Sequence, residues 1–148
     1  MTTVVIDDHL LRDVLTGARA TDLGGIASAL ATTGLRLFRL SSSWAAPDVV
    51  GKLSAPVAAL TPEQQERFRD RLVALPDEIE VLHLRRLSWP MAQLQQRHRG
   101  EGRPLSAAMT EALAAAHALR AAIAVSQHDV GPNLKAAAEH DGISVHVL

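Results

Sequence analysis

The chain opens on an unbroken apolar run, Val4-Val5-Ile6, that stops abruptly at Asp7-Asp8-His9. A short β-branched run ending at charge predicts a buried strand over Thr3 to Ile6. Leu10 to Leu15 predicts a first helix, closed by Gly17. Leu23, Ile26 and Leu30 recur at helical spacing behind a Thr21-Asp22 cap, which predicts a second helix, weakened at Gly24-Gly25 and resuming through Leu35 to Leu40. Ser41 to Pro56 has the serine, proline and glycine content of a loop. The sharpest local signal is Thr61-Pro62-Glu63-Gln64, an N-cap, a first-turn proline and a capping-box glutamine. Its helix should run to about Leu75 and stop before Pro76. Glu78 to Leu84 alternates and predicts a second strand. Ser88-Trp89-Pro90-Met91 opens a helix to about His98, and Arg97 to Pro104 is a basic, glycine-containing turn. An alanine-rich helix follows from Ser106 to near Arg120, and then a strand over Ala121 to Ser126. Gly131-Pro132 starts the last helix, Gly142 ends it, and Ile143 to Val147 forms a final strand.

Strands alternate with helices and no repeat is visible. That order predicts one α/β domain over residues 1–148, with a mainly parallel sheet and helices on both faces. Ligands in such folds sit beyond the C-terminal ends of the strands. Asp7 and Asp8 fall at one such end; Gln127, His128 and Asp129 fall at another.

Composition trims the options. The formal net charge is −1, so no global basic field recruits nucleic acid, and an RNA-binding role needs a local patch. There are no cysteines, which excludes disulfides and thiolate zinc sites and fits a reducing cytoplasm. No apolar run approaches the roughly 18 residues that span a bilayer. The N-terminus lacks the basic-then-apolar order of a signal peptide, so Val4 to Ile6 is expected to be structure.

Acids placed after a first strand bring two families to mind. Ile6-Asp7-Asp8-His9 resembles the acid pair of receiver domains, and Pro47-Asp48-Val49-Val50 resembles their phosphoacceptor strand. The residues that follow, Gly51-Lys52-Leu53-Ser54, contain no aspartate, and Ala121 to Asp129 contains no lysine, so acylphosphate chemistry is not expected. The other resemblance covers both ends of the chain. Val5 to Leu11 is similar to the opening of PIN-domain nucleases, the family that includes VapC-type toxins. Thr110 to Leu119 resembles their late helix, where an acid precedes Ala-Leu and an alanine run. Ile123 to Asp129 resembles the strand and terminal acids that follow it.

The PIN resemblance implies a three-layer α/β/α sandwich in which distant carboxylates converge on Mg²⁺ or Mn²⁺. Hard cations want oxygen ligands, and a bound ion activates water and offsets charge on an attacked phosphodiester. The residues it implies as catalytic are Asp7, Glu111 and Asp129, with Asp8 added as a metal ligand. Glu111 matches the third family acid, and strict spacing puts Gln127 at the fourth, with Asp129 two residues on. The second acid has no counterpart, because Ile26 to Leu40 contains no carboxylate. Either Asp8 and Asp129 compensate, or the site is degenerate.

The expected function is therefore a metal-dependent endoribonuclease, the toxin of a toxin–antitoxin pair, with RNA and an antitoxin protein as partners. The alternative is a PIN-like domain that has lost catalysis and binds protein or nucleic acid. Arg85, Arg86, Arg97 and Arg99 form the densest basic stretch, and Arg36 with Arg39 a second; each is either an RNA-phosphate contact or a solvated face. Asp7 doubles as a helix cap, Asp129 as a turn former. His9 and His128 flank the acids, and His117 is expected to pack on its helix. Trp89 is expected in a core or interface, and Trp44 or Trp89 in the seam of a homodimer.

Overall fold

The computed structural model describes residues 2–18, 23–46, 51–128 and 130–148. Its centre is a sheet of five strands: β1 (Thr3–Ile6), β2 (Ala29–Thr33), β3 (Ile79–Leu82), β4 (Ala122–Val125) and β5 (Val145–Val147). All neighbours are parallel, in the order β3-β2-β1-β4-β5. Among the described residues the helices are α1 (Asp8–Thr16), α2 (Gly34–Ala45), α3 (Ala55–Ala58), α4 (Pro62–Val73), α5 (Leu84–Gly100), α6 (Ala107–Leu119) and α7 (Pro132–His140).

Successive side chains of a strand point to opposite faces, and β1 feeds two cores. Val4 and Ile6 join Leu10, Leu11, Leu40 and Phe68, contributed by α1, α2 and α4. Val5 joins Leu87, Leu94, Leu113 and Leu134, contributed by α5, α6 and α7. The result is the three-layer α/β/α sandwich with a parallel sheet that the sequence implied. The capping box also forms. Thr61 Oγ1 accepts from the Gln64 N–H at 3.3 Å, and Gln64 Oε1 accepts from the Thr61 N–H at 3.0 Å.

Other boundaries differ. The spacing that suggested a helix through Leu30 hides strand β2, Ala29–Thr33. That segment has small residues and two threonines, and what makes it a strand is its place between β1 and β3. Buried Thr32 supports it locally, its hydroxyl donating to the Ile6 carbonyl at 3.0 Å. The loop expected over Ser41 to Pro56 starts late, because α2 continues to Ala45, and ends early, because the short helix α3 begins at Ala55. α5 starts at Leu84, so Pro90 lies inside it and not in its first turn. The expected caps Thr21 and Asp22, the match at Pro47 to Val50, and the candidate ligand Asp129 lie outside the described residues.

Candidate acidic site at the strand ends

The chain lays β1, β2 and β3 outward on one side, then crosses back to place β4 on the other side of β1. Connections that leave in opposite directions open a crevice beyond the strand ends, between β1 and β4. Asp7 sits in it. Its Oδ1 accepts from the Leu10 N–H at 2.8 Å, capping α1. Its Oδ2 accepts from the Ser126 N–H, just past β4, at 2.8 Å. The carboxyl thus ties the two diverging strands together as well as capping a helix. Burial pushes its pKa above the ordinary 3.8, against the lowering effect of both bonds and of the nearby Arg36 charge; Asp8 adds to the rise.

Asp8, the next residue, is fully buried in the first turn of α1. Its partners come from α2: Oδ1 lies 3.5 Å from Arg36 Nη1, and Oδ2 lies 3.3 Å from Arg39 Nε. The Arg36 side chain is buried and that of Arg39 is half exposed. These two arginines, set in the sequence as a phosphate contact or a solvated face, turn inward onto an acid. The available signal was their i, i+3 spacing in an otherwise apolar helical run, Leu35 to Leu40, which puts a charge on a face that packs.

Glu111 lies in α6 within a stretch, Thr110 to Ala116, that is buried on every side. Glutamate is almost never fully buried without a partner. Its Oε1 accepts from the Leu35 N–H at 3.1 Å, in the first turn of α2. Its Oε2 has no hydrogen-bond partner among the described residues. Leu35 precedes Arg36, so α2 brings Glu111 and Asp8 to its own first turn. Among the described residues no three His, Asp or Glu side chains form a group that could hold a metal ion, and Asp129 is not among those residues. Near the acids, the His9 and His128 rings lie 6.1 Å apart, and Arg12 Nη1 approaches His9 Nδ1 at 3.3 Å.

The basic stretch divides. Arg85 and Arg86 line an open cleft of about 530 Å³ with Glu80, Val81, Leu82 and His83, and Arg86 is 3.7 Å from Glu80. Arg97 makes a two-pronged contact with Asp141 at 2.7 and 2.9 Å, and Arg99 is exposed. Trp89, expected in a core or interface, is 72% exposed on α5. His117 is not simply packed: its Nε2 is 2.8 Å from Asp141, whose Oδ2 also meets buried His98 at 3.2 Å. The sequence offered no signal for that cluster, whose members lie far apart in the chain.

No family profile and no curated protein matches the sequence. Solved structures match in shape. FitAB bound to an IR36 DNA fragment shares 13% identity over 97% of this chain and 94% of that chain, with a TM-score of 0.57. FitAcB from Neisseria gonorrhoeae shares 15% identity over 97% of this chain and 96% of that chain, with a TM-score of 0.57. The fold is PIN-like. In PIN-like terms the sequence match placed Asp7 after the first strand and Glu111 on the late helix, and the structure puts α1 and α6 in those places. Where the family's second acid was sought, α2 presents Arg36 and Arg39.

Proposed function

We propose that this chain is a PIN-type endoribonuclease and the toxin of a toxin–antitoxin pair, acting in the cytoplasm. The observation that carries the reading is Glu111, a wholly buried carboxylate with one oxygen unpartnered among the described residues. Such an atom costs on the order of 1–3 kcal/mol unless something binds it. A divalent cation fits that requirement. Asp7, Glu111 and Asp129 are the residues that would hold Mg²⁺ or Mn²⁺; Asp8 would join them only when released from Arg36 and Arg39. When bound, the ion supplies an activated water and offsets charge on the phosphodiester. The chain's own residues do the positioning. Asp7 is held rigid by two backbone donors at the crevice, and Arg85 and Arg86 stand at the same C-terminal edge of the sheet, where they would meet RNA phosphates. The structural neighbours are the assemblies FitAB and FitAcB, the first on DNA, and a protein antitoxin is the corresponding partner proposed here.

The test is cleavage of single-stranded RNA with Mn²⁺ or Mg²⁺ by the wild type and by Asp7→Asn. Asparagine keeps the cap oxygen for Leu10. Cleavage that is lost in a folded variant supports the nuclease. A wild type that cleaves nothing favours the second reading, a PIN-like binding module without catalysis. That reading draws on the engagement of Asp8 by two arginines and on the absence of a carboxylate from α2.

A further inference from the structure

We infer that Arg36 is a built-in counter-cation of the acidic crevice, which competes with the divalent ion and holds the site in a metal-poor resting state. The inference rests on the nuclease reading above and adds its regulation. Two observations lead to it. First, the guanidinium of Arg36 is buried and faces a fully buried carboxylate, Asp8, at 3.5 Å, and Asp8 directly follows Asp7, the acid at the strand crossover. Second, its backbone neighbour Leu35 holds Glu111, so the first turn of α2 touches one acid through the main chain and another through a side chain. Arg36 is anchored there, its own N–H donating to the Thr33 hydroxyl that caps α2 at 3.5 Å.

The charge balance explains the arrangement. Asp7 and Asp8, adjacent in the chain and both buried, would repel each other if both were ionised with no cation near them. In the metal-free protein the fixed guanidinium takes up that role. Arginine keeps its proton at any physiological pH, so it cannot step aside by deprotonation and must be out-competed or swung away. Arg39 assists from the rim, its half-exposed side chain 3.3 Å from the other Asp8 oxygen. A divalent ion entering the crevice meets a like charge until Arg36 moves, and Asp8 is then released as a further oxygen ligand.

The experiment is calorimetric titration of Mn²⁺ into the full chain, as wild type, Arg36→Met, Arg36→Lys and Arg39→Gln, with the melting temperature of each read with and without Mn²⁺. Arg36→Met should bind Mn²⁺ about tenfold more tightly than wild type, as removal of a nearby like charge requires. Its melting temperature should rise more on adding the ion. Arg36→Lys should stay close to wild type, and Arg39→Gln should gain a smaller factor. If Arg36→Met fails to fold, Arg39→Gln carries the test, and no gain there overturns the inference. Equal Mn²⁺ affinity in wild type and Arg36→Met also overturns it while leaving the nuclease reading intact. Binding by none of the four proteins removes the metal site itself and the inference with it.

Discussion

Asp7 is buried and Asp141 partly so, and their surroundings push them in opposite directions. At Asp141 burial raises the pKa, but bonds from Arg97, His117 and His98 outweigh it and leave the carboxyl well below its ordinary 3.8. A carboxylate depressed in the folded state stabilises it above the unfolded pKa, and that contribution shrinks as pH falls through the folded value. Asp141→Asn should therefore cost about 1 kcal/mol at neutral pH, the order expected for a half-exposed ion-pair network screened by solvent. The cost should diminish steadily below about pH 4. Asp7 has the opposite sign. Its pKa is raised, so its contribution is full below the ordinary value and is lost as pH rises through the folded one. Asp7→Asn should thus be best tolerated near neutrality and relatively worse in acid. Urea denaturation of both variants across pH reads the two slopes, and slopes of the same sign would mean that one of these environments is misassigned.

At the scale of elements, what was legible is what local chemistry decides. The α4 start could be read because Thr61, Pro62 and Gln64 carry the cap in their own side chains. Thr61→Ala should cost about 1 kcal/mol, seen as a lower urea midpoint with an unchanged slope, and should leave RNA cleavage alone. β1 was legible because an unbroken apolar run suits a strand covered on both faces. β2 was not. Ala29-Leu30-Ala31-Thr32-Thr33 holds one large apolar residue, and its strand character comes from hydrogen bonding to β1 and β3, which no local window contains. The candidate site was legible in the same partial way. Asp7 and Glu111 stand where a strand end and a buried alanine helix announce them. The grip of Arg36 and Arg39 on Asp8 joins residues about thirty positions apart, across the connection from β1 that β2 completes. An error in one strand therefore hid the contact that most changes the site's chemistry.

For the whole molecule, the buried carboxylate of Glu111, with one oxygen unpartnered among the described residues, is a stability cost unless something binds it. Glu111 is carried inside a helix that is otherwise alanine, leucine and threonine where it packs, and neutral residues of similar size would suit that position better. Glu111→Gln keeps the acceptor for the Leu35 N–H through its amide oxygen and replaces the unpartnered oxygen with an uncharged amide. Without metal, the variant should be more stable than wild type by about 1 kcal/mol, since an uncharged amide is less costly to bury than a carboxylate. With Mn²⁺, the order should reverse, because only the wild type gains binding energy from the ion. Thermal melts of the two proteins, with chelator and with millimolar Mn²⁺, would show the curves changing places, and RNA cleavage with Mn²⁺ should be lost in the variant. If the variant is less stable in chelator, Glu111 is a satisfied structural acid, and its open oxygen has a partner of the chain's own. If it is more stable and the order does not change with Mn²⁺, the residue is a strained remnant of a site that no longer binds metal. A true crossing would tie the fold's internal strain to its chemistry, with the buried acid kept for function at the expense of stability.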